Sequence, residues 1–217
     1  MKKSKKGKIK VIIADDHAIV RKGLVQVISE TPDLEVVGEA SDGSELLEMI
    51  PSNDFDVVVM DVGMPKKSGW EVIARIRIEW PELPVIILSV FPEEDYAVKF
   101  FQAGASGYLS KGSAPELLVE AIRKVAGGGK FISPTLAEKL AFDFGGESTK
   151  QPHENLSPRE FQVFCMIASG KTVKEISEEL SLSSATISTH RSRILEKMDM
   201  KSNAQLTHYA FKTGLLG

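Results

Sequence analysis

Asp15, Asp16 and Asp61 each follow a short apolar run, and three carboxylates in such positions could together hold a cation. Clustered carboxylates repel one another, so that either one of them takes up a proton or a cation binds among them. Oxygen ligands suit a hard cation such as Mg²⁺. A cation beside an exposed carboxylate draws in a phosphoryl group, which the carboxylate can attack as a nucleophile. These residue types indicate phosphoryl chemistry at an aspartate, provided that the fold brings the three side chains together.

Ser89 and Lys111 follow two later apolar runs and offer complementary chemistry. The Ser89 hydroxyl can donate a hydrogen bond, and the Lys111 ammonium can pair with a carboxylate or with phosphate oxygens. Taken singly, each is better explained as an ordinary polar residue of a loop or surface. Gly107 and Tyr108 before Lys111, with Pro115 after it, mark a strand-to-helix transition. As a set, the five polar residues indicate a site for acyl-phosphate chemistry.

Two alternating patterns in residues 9–127 predict the elements that must position these side chains. Short apolar, often β-branched runs alternate with amphipathic segments of helical period, which is typical of βα units and a parallel sheet. The strand-like runs are Ile9–Ala14, Val36–Val37, Val57–Met60, Val85–Val90 and Tyr108–Leu109. The helix-like segments are Ala18–Ser29, Ser44–Ile50, Gly69–Glu79, Asp95–Ala103 and Pro115–Ala126. Five such units predict one doubly wound α/β domain, in which the carboxylates converge if the first and third strands are neighbours.

The chain changes character after Gly127–Gly129, which ends the last of these helices. Pro134–Phe142 is a short amphipathic segment, whereas Gly145–Glu154 is rich in Gly, Ser, Lys and Pro and predicts a linker. We therefore expect a first domain at residues 9–127, a linker with a short helix at 128–154, and a second domain at 155–217.

Residues 155–217 contain no strand-like run, and their apolar pattern is helical throughout. Ser157, Pro158 and Glu160 predict an N-cap, a first helical residue and a capping box. Further helices are predicted at Val173–Leu180, at about Ser184–Met198, and from about Asn203 onward. Two helices joined by a short turn, the second with a polar exposed face, are typical of a helix-turn-helix. On pattern alone, a solvated helix in a small bundle is the alternative.

The first domain resembles the receiver domain of bacterial two-component response regulators. The matching segments are Ile12–His17, Met60–Pro65, Leu88–Val90 and Gly107–Lys111. The resemblance implies a flavodoxin-like fold with strand order 2-1-3-4-5.

The same resemblance implies a role for each site residue. Asp61 would accept a phosphoryl group from a sensor histidine kinase, and Ser89, Tyr108 and Lys111 would respond to it or bind it. The Mg²⁺ ligands would be Asp15, Asp16, Asp61 and the backbone carbonyl of Gly63. Gly63 stands where a polar side chain is more usual, which bears on the lifetime of the phosphoryl group.

Residues 156–211 resemble the four-helix, all-α DNA-binding domain of the LuxR type. The matching segments are Leu156–Glu160, Ile167–Gly170, Lys174–Ser177, Leu180–Ser183, Thr186–His190, Ile194–Met198 and Lys201–Ser202. A receiver joined to this domain is the arrangement of the NarL/FixJ response-regulator family.

The LuxR-type resemblance also implies which residues meet DNA and how the protein assembles. The candidate DNA contacts are Lys174, Thr186, Ser188, Thr189, His190, Arg191, Ser192, Arg193 and Lys201. Many relatives have Lys where Ser188 stands, so we expect reduced nonspecific affinity and an altered base preference. The family usually dimerises through its last helix, where Leu206, Tyr209 and Ala210 are candidates; they could equally be core residues within the domain. A symmetric dimer would bind an inverted repeat.

The composition excludes several classes of protein. With 217 residues, 42% hydrophobic and 26% charged, the chain has an ordinary globular composition. Its longest apolar runs are far shorter than the ~20 residues of a membrane span, and no secretory signal is visible, so we expect a cytoplasmic protein. One cysteine excludes a disulfide framework and a cysteine-rich zinc site. The four histidines are scattered and predict no metal set, and no nucleotide-binding glycine motif is present.

The distribution of charged residues along the chain suggests that the two predicted domains have different functions. The chain carries a net charge of −3, yet residues 150–217 hold nine Lys or Arg against seven Asp or Glu. The front is therefore acidic and the back mildly basic, which fits DNA as a partner of the second domain.

Our leading hypothesis is a DNA-binding response regulator. A sensor histidine kinase would phosphorylate Asp61, and the protein, as a homodimer when phosphorylated or DNA-bound, would then control transcription at a promoter. It would not be an enzyme beyond taking up and losing its own phosphoryl group. The alternative is a constitutive DNA-binding protein whose receiver is a phosphorylation-independent interaction module.

Overall fold

The computed structural model divides into two compact units, Met1–Glu138 and Lys139–Gly217. It describes residues 7–52, 54–64, 67, 69–90, 93–113, 115–134, 136–137, 151–180, 182–213 and 215. Most of the predicted short helix Pro134–Phe142 and of the predicted linker Gly145–Glu154 lies outside the described residues. The boundaries 9–127, 128–154 and 155–217 stay predictions.

Five parallel strands form the sheet of the first unit, in the order β2-β1-β3-β4-β5. The strands are β1 (Ile9–Ala14), β2 (Leu34–Ala40), β3 (Val57–Asp61), β4 (Val85–Ser89) and β5 (Gly107–Ser110). In the register of β1 and β3, Ala14 lies opposite Met60. The first and third strands are thus neighbours, as the convergence of the carboxylates requires, and the predicted flavodoxin-like fold class is confirmed.

In the described residues, four α-helices connect these strands and a fifth follows β5, and all five begin and end within one or two residues of the predicted segments. They are α1 (Ala18–Ser29), α2 (Gly43–Met49), α3 (Gly69–Glu79), α4 (Glu93–Gln102) and α5 (Pro115–Ala126). The largest discrepancy is β2, which is seven residues long where only Val36–Val37 was predicted. Because β2 is an edge strand, exposed residues interrupt its apolar pattern and hide the signal.

The sheet is buried on both sides, as apolar strands without polar alternation predict. Every residue of β3 and of β4 is buried. On one face, α1 and α5 contribute Ile28, Ala121 and Ile122 to a single cluster with β1 and β3. The remaining helices include α2, which contacts β2, and α4, which contacts β5. This burial fixes the strand ends, and therefore the polar residues that follow them.

The second unit contains four α-helices in its described residues: α6 (Pro158–Ala168), α7 (Val173–Glu179), α8 (Ser184–Lys197) and α9 (Asn203–Lys212). The predicted capping box at Ser157 and Glu160 is present, and a second box joins Thr172 to Glu175. Ser183 caps α8 in the same way, with its hydroxyl accepting a hydrogen bond from a backbone N–H. Four short polar caps therefore start the helices, since Ser202 caps α9 as well.

Apolar residues of all four helices form the core of the second unit. Phe161 and Phe164 of α6, Ile187 and Ile194 of α8, and Leu206 of α9 are fully buried. Leu195, which follows the buried Ile194 in α8, is only partly buried. In the part of the chain that the structure describes, no helix is long and apolar enough to cross a membrane.

Candidate metal centre and candidate nucleic-acid interface

The carboxylates of the first unit meet at the carboxyl edge of the sheet. Asp15 follows β1 and Asp61 ends β3, and both are buried. The Nζ atom of Lys111, from the turn after β5, lies 2.8 Å from Oδ2 of Asp15 and 2.8 Å from Oδ2 of Asp61. Asp16 is more exposed, with 29% of its side chain accessible. The sheet thus brings together four of the five polar residues singled out in the sequence.

Burial and hydrogen bonding oppose each other in this cluster. Burial raises the pKa of Asp61 above its usual value, although hydrogen bonds from Lys111 and from the Gly63 backbone act in the other direction. Burial alone would lower the pKa of Lys111, but hydrogen bonds to Asp15 and Asp61 outweigh it and raise that pKa. Lys111 therefore stays protonated and holds the two buried carboxylates together.

A divalent cation fits the charge and the geometry of these side chains. Three ionised carboxylates and one ammonium leave a formal charge of −2, which such a cation would balance. One carboxylate oxygen from each of Asp15, Asp16 and Asp61, together with a ring nitrogen of His17, lie within 4.8 Å of one another. Oxygen-rich ligand sets of this kind suit Mg²⁺. Gly63 lies beside the cluster, since a Cβ atom added there would be 3.5 Å from Oδ2 of Asp61.

His17 adds a ring nitrogen to the carboxylate cluster, although the four histidines by themselves make no metal set. Its Nδ1 atom lies 2.8 Å from Oδ1 of Asp16 and 3.4 Å from Oδ1 of Asp15. The other histidines are far along the chain, so counting histidines alone hid the one that follows Asp16 directly. Its position next to two carboxylates was the signal that could have identified it.

Ser89 and Tyr108 lie on the two strands next to the acidic cluster. Ser89 is the last residue of β4 and is buried, and its carbonyl accepts a hydrogen bond of 2.7 Å from the backbone N–H of Lys111. Tyr108 in β5 is fully buried, with its ring centroid 5.8 Å from that of Phe100 in α4. Phe100 in turn stacks on Trp70 of α3 at 3.4 Å and 12°. No sequence pattern predicted this row of three rings, because residues so far apart along the chain share no periodicity.

The residues predicted to contact DNA fall into two groups in the second unit. The exposed group comprises Lys174, Thr186, Ser188, Thr189, Ser192, Arg193 and Lys201. The half-buried group comprises His190 and Arg191. Arg191 donates a hydrogen bond of 2.6 Å from Nε to Oδ1 of Asn203, at the start of α9. Burial lowers the pKa of His190, and the nearby Arg159 lowers it further. Both side chains thus face their own unit more than the pattern predicted.

The exposed face of α8 is rich in hydroxyl groups that already donate to the helix backbone. Thr189 donates to the carbonyl of Ala185 at 3.0 Å, and Ser192 donates to the carbonyl of Ser188 at 3.1 Å. Their oxygen lone pairs remain available as acceptors, which suits donors on base edges. Arg193 adds a positive charge to the same helix.

Two nearby lysines have partners within the unit. Lys197 lies 2.6 Å from the carboxylate of Glu160 in α6, which is 5% exposed, and Lys171 pairs with Glu179. Burial would raise the pKa of Glu160, but hydrogen bonds from Lys197 and from Ser157 lower it overall. These lysines hold helices in place, whereas Lys174 is 83% exposed.

The apolar residues of α9 were candidates either for a dimer contact or for the core of the unit. Leu206 and Ala210 are fully buried within the unit and are core residues. Tyr209 is partly buried, and its hydroxyl lies 2.7 Å from Nδ1 of His153, in a 3-10 turn at Pro152–Asn155. His153 also lies against Phe161, with ring centroids 5.6 Å apart. The end of the predicted linker therefore folds onto the second unit.

Two family comparisons cover most of the chain. Residues 11–123 match the response regulator receiver domain, and residues 154–210 match the bacterial regulatory proteins of the LuxR family. Among curated proteins, the chain is 39% identical over 208 residues to the response regulator UvrY of Escherichia coli K12, covering 95% of each chain. It is 37% identical over 209 residues to the response regulator GacA of Pseudomonas aeruginosa, covering 96% of this chain and 98% of that one.

Solved structures of one regulator resemble the chain over nearly its full length. RcsB of Salmonella typhimurium is 27% identical with a TM-score of 0.71, covering 94% of this chain and 96% of that one. RcsB bound to a promoter in the presence of the phosphomimetic BeF3⁻ is 28% identical with a TM-score of 0.69, covering 94% and 98%.

Proposed function

Because this chain belongs to the NarL/FixJ family of two-component response regulators, we propose that phosphorylation of Asp61 controls its binding to promoter DNA. The family assignment makes it a DNA-binding regulator with a receiver domain and a LuxR-type helix-turn-helix. The observation that carries the finer proposal is the position of Asp61, which is buried at the carboxyl edge of the sheet beside Asp15 and Lys111. We assign it no enzymatic turnover beyond uptake and loss of its own phosphoryl group.

Asp61 is the proposed nucleophile. One of its carboxylate oxygens forms a bond to phosphorus while the P–N bond of a kinase phosphohistidine breaks, and the leaving imidazole retains that electron pair and gains a proton. Asp15, Asp16, Asp61 and the carbonyl of Gly63 would hold Mg²⁺, whose charge would offset the negative charge gathered at the reacting oxygens. Because Gly63 has no side chain, it would place no polar group beside Asp61 to direct water toward the phosphoryl group.

Lys111, Ser89 and Tyr108 are the residues proposed to respond to the phosphoryl group. Lys111 already contacts Asp61, so its ammonium can pair with phosphate oxygens once they arrive. Ser89 would donate its hydroxyl to the same group, and Tyr108 would shift behind it. The receiver would thereby be biased toward a second conformation.

Helix α8 is the proposed reading helix in the major groove. Its exposed Thr186, Ser188, Thr189, Ser192 and Arg193 would face DNA, with His190 and Arg191 at the edge of that face. Lys174 and Lys201 would contact phosphates. RcsB, a structural relative, has been solved as two dimers bound to two parallel DNAs. We propose that this chain likewise binds DNA as a homodimer, in the cytoplasm where the chromosome lies.

The test is phosphorylation by acetyl phosphate with Mg²⁺, followed on a phosphoprotein gel for the wild type and Asp61→Asn. We expect a shifted band in the wild type and none in Asp61→Asn. Asp54→Asn is the matched control, because Asp54 pairs with Lys10 at the opposite edge of the sheet and should leave the shift intact. Equal phosphate uptake by Asp61→Asn would refute the assignment.

The promoter affinity of the wild type and of Asp61→Asn, both treated with acetyl phosphate, then distinguishes the leading hypothesis from the constitutive alternative. We expect tighter promoter binding by the phosphorylated wild type than by Asp61→Asn treated in the same way. Promoter affinity that ignores phosphorylation would instead support a constitutive DNA-binding protein whose receiver serves as an interaction module.

A further inference from the structure

His17 places an imidazole among the carboxylates of the first unit. Its Nδ1 atom lies 2.8 Å from Oδ1 of Asp16 and 3.4 Å from Oδ1 of Asp15. One ring nitrogen of His17 and one carboxylate oxygen from each of the three aspartates all lie within 4.8 Å of one another. We propose that His17 is a fourth side-chain ligand at this site, so that the receiver also binds divalent transition cations that accept nitrogen. The inference rests on the proposed cation site of Asp15, Asp16 and Asp61.

The spacing of these atoms is close to that of ligands around one cation. Metal–ligand distances of about 2.1 Å place neighbouring octahedral ligands about 3.0 Å apart and opposite ligands about 4.2 Å apart. The distances from Nδ1 to the two aspartates fall near the first value. The two candidate ligand atoms that lie farthest apart are within 4.8 Å of each other, so that a contraction of less than about 1 Å would bring them to the separation of opposite ligands.

The backbone fixes His17 beside the carboxylates, and the ring nitrogen Nδ1 is paired with the Asp16 carboxylate. His17 precedes α1 in an extended conformation, and its side chain makes no capping hydrogen bond to the helix. Its backbone N–H donates to Oδ1 of Asp15 at 2.8 Å, which ties the residue to the cluster. The ring is 66% exposed. A cation arriving from solvent can therefore reach Nδ1 together with the Asp16 carboxylate.

The type of ligand decides which cations gain from it. Carboxylates and water suit Mg²⁺, whereas imidazole favours first-row transition cations such as Zn²⁺, Ni²⁺ and Fe²⁺, with Mn²⁺ accepting both. Mg²⁺ also keeps several of its waters and gains little from a nitrogen ligand. His17 should thus raise affinity for transition cations selectively.

Mn²⁺ is the probe of choice because it is paramagnetic and reports directly on coordinated nitrogen. The full-length wild type, His17→Ala and His208→Ala are titrated with Mn²⁺ by EPR, and the bound ion is examined by electron spin-echo modulation for ¹⁴N coupling. His208→Ala is the matched control, since it removes an exposed histidine of α9 in the other unit. Competition with Mg²⁺ gives the affinity ratio of the two cations.

We expect ¹⁴N coupling in the wild type and His208→Ala and its loss in His17→Ala, with the Mn²⁺-to-Mg²⁺ affinity ratio falling about tenfold. Bound Mn²⁺ without ¹⁴N coupling in the wild type would overturn the role of His17 while leaving the carboxylate site and the proposed function intact. Coupling that survives in His17→Ala would overturn it as well. If the wild type binds neither cation, the proposed Mg²⁺ site itself falls, and this inference with it.

Discussion

Lys111 is the residue on which the charge balance of the receiver site depends. Its ammonium lies between the two buried carboxylates of Asp15 and Asp61, each 2.8 Å away. A buried charge that loses its partner is costly, often by about 3–5 kcal/mol. If Asp61 is phosphorylated as proposed, the same residue would bind the phosphoryl group, so that one side chain would serve both states of the receiver.

Replacing Lys111 should therefore destabilise the first unit. We expect Lys111→Met to lower the free energy of unfolding by about 3 kcal/mol at pH 7 without added metal. Mg²⁺ should recover part of that loss, because it replaces the missing positive charge. Urea unfolding with and without Mg²⁺ measures both effects. Lys22→Met, which removes an exposed charge from α1, should change stability little; an equal loss in both variants would contradict the argument.

The ion pair between Lys197 and Glu160 predicts a pH dependence in the second unit. Because the pKa of Glu160 is lowered in the folded state, the pair stabilises the fold above the unfolded pKa of about 4.3. That contribution is lost as the pH falls through the lower, folded pKa. We expect Lys197→Met to cost about 1–2 kcal/mol at pH 7 and progressively less below about pH 4.

Urea unfolding followed by the amide NMR signals of α6 and α8 checks this pH dependence. Lys174→Met serves as the control, because the Lys174 ammonium is largely exposed and 3.9 Å from Glu178. A cost for Lys197→Met that stays constant from pH 7 to pH 3 would show that the carboxylate is not the partner that matters.

At this scale the sequence predicts residues whose position follows from the backbone alone. Asp15 and Asp61 could be paired in advance, because ends of adjacent parallel strands share an edge. Ser157 and Glu160 could be assigned to a capping box for a similar reason, since both lie within one helical turn. The roles of His17, Trp70 and Arg191 depend on side-chain orientation and on distant partners, which spacing along the chain does not encode.

Among the elements, α4 is tied to the sheet by the row of rings Trp70, Phe100 and Tyr108. Phe100 is fully buried and contacts both other rings. Stacked or tilted aromatic pairs add about 0.5–1.5 kcal/mol beyond the area they bury. A movement of Tyr108 must therefore disturb α4 and α3 together.

We expect Phe100→Leu to lower the stability of the first unit by about 1–2 kcal/mol and to shift the tryptophan emission of the folded protein. The shift arises because Trp70 loses its stacked neighbour. Fluorescence-monitored urea unfolding measures both. Phe101→Leu is the matched control on the same helix, where the ring is only partly buried. An unchanged emission spectrum in Phe100→Leu would count against a coupled row of rings.

Element boundaries were predictable where apolar runs were continuous, and less so elsewhere. β1, α1, α3 and α5 begin and end where their patterns predict. The edge strand β2 mixes exposed and buried residues and was shortened in the sequence prediction. The sequence pattern predicted a polar exposed face on α8, but His190 and Arg191 are half-buried. Arg191 contacts Asn203 of α9, and His190 lies near Arg159 and Glu160 of α6.

For the whole molecule, the acidic first part and the mildly basic second part match the two tasks assigned to them. Only part of the positive charge of the second unit is free for DNA, since Lys197 and Lys171 are paired internally. Arg193 is exposed on α8 and forms no hydrogen bond or ion pair with the described residues. It is therefore the strongest candidate for an electrostatic contact to DNA.

Arg193→Ala should weaken promoter binding and reduce its salt dependence. Each phosphate neutralised by the protein contributes about 0.9 to the slope of log K against log salt concentration. If Arg193 contacts a phosphate, the slope should fall by about one. Fluorescence anisotropy at several salt concentrations measures it, with Lys212→Ala at the end of α9 as an equal change of charge. Identical slopes for the two variants would remove Arg193 from the interface.

The contact between His153 and Tyr209 extends the second unit beyond its helical core. The Tyr209 hydroxyl also donates a hydrogen bond of 3.2 Å to Gln151, so that the segment at residues 151–155 is fastened to α9. A fragment of this protein that begins at Asn155 would therefore lack both partners of the Tyr209 hydroxyl and would leave the ring of Phe161 uncovered on the side where His153 lies.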